Sequence, residues 1–416
     1  MNLPLRTRAG IAAGSSAGWL SRLTGRGTGG TLPGRLLVAA DPQALQRLAH
    51  ARTSYLVSGT NGKTTTTRLI AAALGTRTSV LTNADGSNLA AGVATALLRD
   101  QAGRYPTAVF EVDELALPRV AAAVAPAAVV LLNLSRDQLD RMTEVGSIVE
   151  AWRRMLLDNP PGVVIANADD PLVALAAMVA ADAGRPVIWT AVGQPWLKDV
   201  AACPRCATAW QIEPGRWSCA HCGFSRPEPA WRLDGDLVHP PDGPPVPLQL
   251  ALPGRANRAN ATTALAAAAH FGVPVAEALA AMSTVTDVAG RYRVIEQGGR
   301  QLRLLLAKNP AGWLEMLEQV GGGTGPVITV LNARGADGRD PSWIWDVPFE
   351  QLRDRPAVWA CGERSADLSV RLTYGDIQHS TVADPLEAVG ALPMGPCDII
   401  ANYTAFTRLL RTLKAS

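Results

Sequence analysis

The sequence predicts an α/β protein with a doubly wound, mostly parallel sheet, a cysteine-rich insertion, and a second, smaller α/β domain. Short apolar runs alternate with helix-like stretches along the N-terminal two thirds of the chain, which is typical of a parallel sheet covered by helices. Two Cys-x2-Cys pairs interrupt this alternation at about residues 200–228. The alternation starts again near residue 290, which indicates the second domain.

The 416 residues are enough for two or three domains. We expect an N-terminal helix and glycine-rich segment at 1–40, a central domain at 41–289 and a C-terminal domain at 290–416. Apolar periodicity predicts central strands at about 55–57, 79–81, 108–110, 127–132 and 162–165, and C-terminal strands at about 302–306, 327–331, 358–360 and 399–401. It predicts helices at about 35–51, 66–74, 89–99, 147–158 and 261–271.

A glycine-rich run directly follows the first expected strand and reads Ser58-Gly59-Thr60-Asn61-Gly62-Lys63-Thr64-Thr65. A strand, a glycine turn and a helix N-terminus together form a cradle for phosphates, because backbone N–H groups and the helix dipole both favour an anion. Lys63 can reach the terminal phosphates, and the Thr64 hydroxyl can ligate Mg²⁺. The run therefore predicts ATP binding by residues 59–65; the alternative is a chance lysine-containing turn.

A carboxylate just past a strand of the same sheet, Glu111, is the candidate that would hold Mg²⁺ together with Thr64. Asp113 and Glu114 are nearby alternative ligands. If no metal is bound here, the segment is a plain solvated acidic turn. Asn257 and Asn260 stand at the start of an expected helix, where one can act as a cap and the pair can read an adenine edge. Arg291, at the expected domain junction, is either a phosphate clamp or a surface arginine.

Four of the six cysteines form the pattern Cys203-x2-Cys206-x12-Cys219-x2-Cys222. Two such knuckles facing each other supply a tetrahedron of thiolates, so the spacing predicts a structural Zn²⁺ site. Two disulfides or a redox pair are the alternatives, and a cytoplasmic setting disfavours disulfides. Four thiolates close the coordination sphere, so the expected role is stability or partner docking.

Composition argues against two classes of protein, nucleic-acid binders and membrane-spanning proteins. A net charge of +3 without a concentrated basic face argues against nucleic-acid binding. No run approaches the roughly 18 apolar residues that span a bilayer, so we expect a cytoplasmic protein. Five arginines and no acidic residue precede Asp41. This N-terminal segment is either a solvated helix with a glycine-rich loop or a contact for an anionic membrane surface or a lipid-linked pyrophosphate.

A second dense motif occurs in the C-terminal domain and reads Asp337-Gly338-Arg339-Asp340-Pro341-Ser342-Trp343-Ile344-Trp345-Asp346. Its carboxylates and tryptophans favour a partner interface, since tryptophans often anchor protein partners. A buried hydrophobic turn is the alternative interpretation.

These motifs resemble the Mur ligases, with Gly59-Thr60-Asn61-Gly62-Lys63-Thr64-Thr65, the Glu111 strand end, the Asn257/Asn260 helix and Gly290-Arg291. Only about 50 residues precede the phosphate loop, too few for the separate UDP-binding domain of the ordinary Mur ligases. The four-cysteine insertion, the run Lys308-Asn309-Pro310-Ala311-Gly312 and the Asp337–Asp346 motif are similar to the MurT family of synthetase subunits. The resemblance covers nearly the whole chain.

This resemblance implies a function. Members of the family use ATP to activate the α-carboxylate of D-glutamate in lipid II, and ammonia from a separate GatD-like glutaminase converts it to D-isoglutamine. It also implies that an aspartate of the C-terminal domain completes the Cys–His pair of the glutaminase. By motif position this is Asp340, with Asp346 as the second choice.

One departure from the amino-acid ligases limits what can be transferred. Those ligases have a histidine in an Asp-His-x-Asp-Arg run, where this chain has Asp137-Gln138-Leu139-Asp140-Arg141. Glutamine is a poorer metal ligand than histidine, so their second-metal arrangement is not expected here.

Two rival functions remain open at this stage. An amino-acid ligase of the Mur or folylpolyglutamate type would use an amino acid in place of ammonia, and the cysteine insertion and tryptophan motif speak against it. A zinc-ribbon ATPase that binds nucleic acid is disfavoured by the weak net charge. The sequence does not distinguish lipid II from a soluble precursor.

Overall fold

The computed structural model describes residues 4–23, 31–50, 52–83, 87–100, 103–136, 145–213, 215–286, 292–335 and 337–415. The chain folds into two compact units. The first comprises Met1–Leu134 and Glu144–Thr286, and the second comprises Ser135–Thr143 and Asp287–Ser416. Among the described residues, no helix has both the length and the apolar character needed to cross a membrane.

The first unit is built on a nine-stranded sheet, as far as the described residues go. Its strands are β1 (Thr53–Ser58), β2 (Val80–Thr82), β3 (Thr107–Glu111), β4 (Ala128–Leu131), β5 (Val163–Asn167), β6 (Val187–Ala191), β9 (Trp231–Asp234), β10 (Leu237–His239) and β11 (Val246–Pro247). A separate hairpin is formed by β7 (Gln211–Glu213) and β8 (Arg216–Ser218). The helices of this unit are α1 (Leu5–Leu23), α2 (Leu32–Ala40), α3 (Ala44–Ala49), α4 (Lys63–Leu74), α5 (Ala90–Arg99), α6 (Leu117–Val124), α7 (Val145–Asp158), α8 (Pro171–Asp182), α9 (Arg255–His270) and α10 (Val275–Ser283).

The strand order is β11-β10-β9-β6-β5-β4-β1-β3-β2, and the strands from β2 to β9 pair in parallel. The chain returns from β2 to β3 on one side of β1 and then crosses to β4 on the other side. Ligands of doubly wound sheets bind at such a reversal of strand order, beyond the carboxyl ends of the strands. The loop after β1 therefore lies where this topology favours a ligand.

Alternating residues of the central strands face two separate cores, so the sheet is covered on both sides. Leu56 packs with α3, α5, α6, α7 and α8, whereas its neighbours Tyr55 and Val57 pack with α4, α9 and α10. Strands buried on both faces read as continuous apolar runs, which explains why β1, β3, β4 and β5 are easy to find in the sequence. The expected doubly wound α/β fold is confirmed.

One expected helix, at residues 35–51, is wrong because the chain breaks it at Asp41. α2 ends at Ala40, Asp41 takes an extended backbone, and α3 begins at Ala44. The break has a local cause, since Pro42 lacks an N–H and disfavours helical geometry for the residue before it. The Asp41 carboxylate then accepts hydrogen bonds from Thr7 and Arg47, which joins α1 to this corner.

Within its described residues, the second unit has its own six-stranded sheet in the order β12-β13-β17-β14-β15-β16. Its strands are β12 (Tyr292–Gln297), β13 (Arg300–Leu306), β14 (Val327–Val330), β15 (Val358–Cys361), β16 (Ser380–Thr381) and β17 (Gly395–Ala401). Its helices are α11 (Pro310–Gly321), α12 (Ser365–Tyr374), α13 (Pro385–Ala391) and α14 (Tyr403–Ala415), with short 3-10 turns at Ser342–Asp346 and Phe349–Leu352. The four strands expected here correspond to β13, β14, β15 and β17, whereas β12 and β16 were not predicted.

Candidate active site

The phosphate loop connects β1 to α4 and has a backbone that only glycine accommodates at one position. Gly62 has a φ of +87° and directly precedes Lys63, the first residue of α4. A Cβ on Gly62 would lie 2.4 Å from Oδ1 of Asn260. Positive φ and this close approach together mean that a side chain here would strain the backbone and displace Asn260. The helix N-terminus thus points into a glycine turn, as a phosphate cradle requires.

The loop is held in place by Asn133. This residue lies just past β4, the strand that pairs with β1 in the sheet. The Asn133 side chain accepts from the Asn61 backbone N–H at 2.9 Å and donates to the Asn61 carbonyl at 3.0 Å. Its backbone carbonyl accepts from the Thr60 N–H at 2.9 Å. Three hydrogen bonds therefore fix the tip of the loop without any ligand. Asn133 was not among the site residues predicted from the sequence, although its place just past a strand end was a usable signal.

The two reactive side chains of the loop each contact a carboxylate. Thr64 Oγ1 donates to Glu111 Oε2 at 2.6 Å, and Lys63 Nζ donates to Glu114 Oε2 at 3.0 Å. Lys63, Thr64 and Thr65 are buried, together with both carboxylates. Glu111 thus lies beside Thr64, where the sequence expected a shared metal site. Glu114, expected only as an alternative metal ligand, instead pairs with Lys63.

Both carboxylates lie near the carboxyl end of β3, in a segment that is itself held in place. Glu111 is the last residue of β3, not just past it as the sequence predicted, and Glu114 lies in the turn that follows. Asn83 accepts from the Glu111 N–H at 2.9 Å and donates to the Glu111 carbonyl at 2.7 Å. The Trp152 indole N–H donates to the Glu114 carbonyl at 2.9 Å. Burial and the charge of Glu114 raise the pKa of Asp113, the third carboxyl group of the turn. The turn is thus an electronegative wall beside the loop, suited to hold a cation.

Asn257 and Asn260 have different surroundings. α9 begins at Arg255, six residues before the expected start of 261, and Gly254 is its N-cap without a side-chain cap, so neither asparagine caps it. Asn257 donates back to the Pro253 carbonyl at 2.6 Å and is partly exposed. Asn260 is buried against Gly62. Asn260 therefore adjoins the phosphate loop, whereas Arg291 and the run 137–141 that contains Gln138 lie outside the described residues.

The four cysteines of the insertion converge as their spacing predicts. The Sγ atoms of Cys203, Cys206, Cys219 and Cys222 all lie within 4.8 Å of one another. The Cys203–Cys222 and Cys206–Cys219 pairs are 3.7 and 3.6 Å apart. Disulfide sulfurs would be about 2.05 Å apart, whereas thiolates around tetrahedral Zn²⁺ are about 3.8 Å apart for a bond of roughly 2.3 Å. The cluster therefore fits a metal ion and not two disulfides.

The cysteine segment is packed into the core of its unit. Trp217 and Phe224 are buried in the same cluster as α7 and α8. The Trp217 indole donates to the Ala168 carbonyl at 3.2 Å, and Arg226 pairs with Asp169 at 2.6 Å. The next residue, Asp170, accepts from the N–H of Leu134, which follows Asn133. The segment thus braces the strand end that supports the phosphate loop.

The tryptophan motif of the second unit is partly buried and partly exposed. Trp343 packs inside against Trp313, with ring centroids 6.3 Å apart. Trp345 is half exposed and makes an edge contact with Tyr374 at 5.3 Å between centroids. Arg371 lies over the Trp345 ring at 5.9 Å. Trp343 therefore belongs to a buried hydrophobic turn, whereas Trp345 presents an exposed ring, and a partner interface there stays a prediction.

The three aspartates of the motif differ in how they are engaged. Asp337 is buried and accepts from the Thr404 N–H at 2.9 Å, so it is structural. Asp340 is exposed and accepts from the Ser342 N–H at 2.8 Å. Hydrogen bonds from the backbone and the side chain of Ser342 lower the pKa of Asp340. Asp346 forms an ion pair with Arg136 at 3.1 Å.

Comparison with known proteins identifies the family. Residues 57–268 match the Mur ligase middle domain, and residues 306–406 match the MurT ligase C-terminal domain. The chain is 32% identical over 456 aligned residues to the lipid II isoglutaminyl synthase (glutamine-hydrolyzing) subunit MurT of Streptococcus pneumoniae, covering 99% of this chain and 98% of the relative. The chain belongs to the MurT family of Mur ligases.

Further relatives agree with this assignment to the MurT family. The subunit MurT of Staphylococcus aureus (strain N315) is 30% identical over 420 residues, covering 95% of both chains. Among solved structures, a pseudomurein peptide ligase type C from Methanothermus fervidus superposes with a TM-score of 0.70 at 17% identity, covering 92% of this chain and 83% of that one. The structural likeness shows that this MurT-family chain has the Mur ligase fold.

Proposed function

We propose that this chain is the ATP-dependent synthetase subunit of a lipid II isoglutaminyl synthase. In the reaction, an oxygen of the D-glutamate α-carboxylate attacks the γ-phosphorus of ATP and releases ADP. Ammonia then attacks the carbonyl carbon of the acyl phosphate, inorganic phosphate leaves, and the nitrogen loses a proton to give the amide. The observation that carries the proposal is end-to-end similarity to relatives that bear this activity in their names.

The phosphate loop supplies the groups that the first step needs. Phosphorylation gives a carboxylate a leaving group, and catalysis of this transfer consists mainly of positioning and charge neutralisation. We assign residues 59–65 to the phosphates through Lys63 and the backbone N–H groups of the loop other than those of Thr60 and Asn61, which donate to Asn133. Thr64 and Glu111, whose Oγ1 and Oε2 atoms are 2.6 Å apart, are assigned to Mg²⁺. Asn257, Asn260 and Arg291 stay candidates for contacts with the nucleotide.

The nitrogen source is a GatD-like glutaminase partner. The two cysteines outside the four-cysteine cluster, Cys361 and Cys397, are buried, and burial raises the pKa of both thiols to about 12. A thiol with so high a pKa is not a nucleophile at neutral pH. Neither cysteine is therefore suited to release ammonia from glutamine, which supports a separate subunit for that step.

Asp340 is the better candidate to complete the Cys–His pair of the glutaminase. It is exposed and its pKa is lowered, so it offers a carboxylate to a partner. Asp346 is already paired with Arg136. A carboxylate in this position would orient the histidine of the partner and stabilise its cationic form. Trp345, from the same sequence motif, and Tyr374 present exposed rings that supply an anchor for the partner.

The four-cysteine cluster is proposed to hold a structural Zn²⁺. Four thiolate ligands leave no position for a substrate, so the metal would stabilise the fold of the insertion without entering the reaction. The whole reaction is placed in the cytoplasm at the inner face of the plasma membrane, because its substrate is lipid-linked. The basic N-terminal segment is the candidate for contact with that surface.

The decisive experiment supplies the purified chain and its glutaminase with ATP, lipid II and glutamine, and measures ADP release and product mass. We expect amidated lipid II in the full reaction, and also when ammonium replaces glutamine and the glutaminase is omitted. Lys63→Ala should abolish both. The proposal is wrong if the complex consumes no ATP with these substrates, or if the Lys63 variant keeps the full rate.

The same assay separates the rival amino-acid ligase. In that case the product would carry an added amino acid, and ammonium would not support turnover. A soluble UDP-linked precursor offered in parallel with lipid II decides which acceptor is used. The fold likeness to Mur peptide ligases at 17% identity does not favour either nucleophile.

A further inference from the structure

The ammonium group of Lys63 is fully engaged within the protein. Its Nζ lies near the Gly59 carbonyl, 3.2 Å from the Thr60 carbonyl and 3.0 Å from Glu114 Oε2. A lysine ammonium has three N–H donors and no acceptor. Three acceptors therefore account for all three donors, so a phosphate oxygen can be bound only if one of these contacts is given up.

Glu114 is held beside Lys63. Its backbone carbonyl accepts from the indole N–H of Trp152, a fully buried side chain. The Lys63 and Glu114 side chains are only 8% and 11% exposed. Charges that are shielded from water interact strongly, and removal of one partner leaves the other uncompensated. The carboxylate thus stays close to the loop when Lys63 turns towards a phosphate.

We propose that Glu114 competes with the nucleotide phosphates for Lys63 and thereby limits how tightly the loop holds ATP and ADP. This inference rests on the proposed ATP-dependent function. Two effects of Glu114 both weaken nucleotide binding. Binding must break the contact between Lys63 and Glu114, and the released carboxylate then faces a phosphate of like charge. Glu114 is in this sense a positioning residue that acts through Lys63.

The consequence for turnover is faster exchange of nucleotide. Product release limits many well-evolved enzymes, and an interaction that weakens ground-state binding of ADP shortens that step. Glu111, three residues earlier at the end of β3, has the opposite effect because its carboxylate faces Thr64 and the proposed cation. Two nearby carboxylates therefore act on nucleotide affinity in opposite directions.

The test measures dissociation constants of Mg·ADP and Mg·ATP by titration calorimetry on the full, zinc-loaded chain. Glu114→Gln keeps the size and the hydrogen-bond acceptor but removes the charge. We expect it to bind Mg·ADP about tenfold more tightly than the wild type, which corresponds to roughly 1.4 kcal/mol. Such a gain distinguishes the inference from a merely structural role, since a loosened site would bind more weakly.

The matched control is Glu150→Gln, which removes the same charge from an exposed position on α7 of the same unit. It should change the affinity by less than about twofold, because exposed charges are screened. Glu114→Ala provides a second neutral variant should the glutamine variant melt abnormally. The inference is overturned if neither neutral variant that melts like the wild type binds more tightly. If the wild type itself binds neither nucleotide, the proposed function fails instead.

Discussion

Replacement of Gly62 by alanine tests whether the conformation of the phosphate loop decides nucleotide binding. The residue has a φ of +87°, and a Cβ would lie 2.4 Å from Oδ1 of Asn260, which real contacts do not permit. An L-residue in this region of backbone space costs about 1–2 kcal/mol. Relief of the contact requires the buried Asn260 to leave its position, at a further cost of about 1–2 kcal/mol.

We expect Gly62→Ala to weaken Mg·ADP binding by roughly 2–4 kcal/mol, or about 30- to 1000-fold. Titration calorimetry measures the affinity, and thermal melting shows that the variant is folded. The double variant Gly62→Ala with Asn260→Ala removes the contact but not the backbone strain. It should therefore bind more tightly than the sum of the two single changes predicts, with a coupling of about 1–2 kcal/mol.

A matched control separates the energetic cost of the positive φ from that of the contact with Asn260. Gly184 also has a positive φ, +72°, but nothing lies within 4 Å of its hypothetical Cβ. Gly184→Ala should lower stability by about 1 kcal/mol and leave nucleotide affinity unchanged. The reasoning is refuted if Gly62→Ala binds nucleotide like the wild type, or if the double-variant cycle shows no coupling.

Four further outcomes are expected. Asp340→Asn should abolish most glutamine-driven amidation while ammonium-driven amidation and ATP binding persist; equal loss in both assays would contradict the proposed role. Gly34→Ala would place a Cβ 1.8 Å from a backbone oxygen of α5, so it should lower the free energy of unfolding by about 2 kcal/mol or more in urea titrations, whereas Gly146→Ala, on α7 with open space, should not. Removal of metal by a chelator should expose Trp217 and lower the melting temperature, since the metal and the fold of a small ribbon are coupled; unchanged Trp217 fluorescence would contradict this. Burial raises the pKa of Asp170 to about 6 against its hydrogen bonds, so the stability of the wild type relative to Asp170→Asn should fall by up to about 3 kcal/mol as pH rises from 4 to 7, and parallel pH profiles would refute it.

Much of the fold was predictable because its strands are buried on both faces. β1, β3, β4 and β5 each contain an unbroken run of three or four buried apolar residues, and such runs are recognised without any knowledge of their partners. β12 and β16 were missed for the converse reason. β12 is an antiparallel edge strand whose residues are half exposed, and β16 has two exposed residues. Their strand character comes from pairing with a neighbour, which the sequence does not display.

The residues of the candidate site also divide into those that the sequence could select and those that it could not. Lys63 and Thr64 belong to a short local motif, and Glu111 lies at a strand end, so the sequence was sufficient to select them. Asn133 and Glu114 were not selected as loop contacts, because their distance from the loop in sequence is 72 and 51 residues. The assignment of a cap to the asparagines of α9 failed for a related reason. The backbone starts that helix earlier, at Gly254, so Asn260 became a neighbour of Gly62 instead.

The sequence by itself determined the chemistry available to this protein, because loop glycines, a lysine and paired cysteines act through spacings of a few residues. Only the tertiary structure decided which charges meet. Lys63 finds Glu114 and Thr64 finds Glu111 because β1 and β3 are adjacent in the sheet although β2 separates them along the chain. Adjacency of this kind depends on the packing of the whole unit, and no local pattern of residues encodes it.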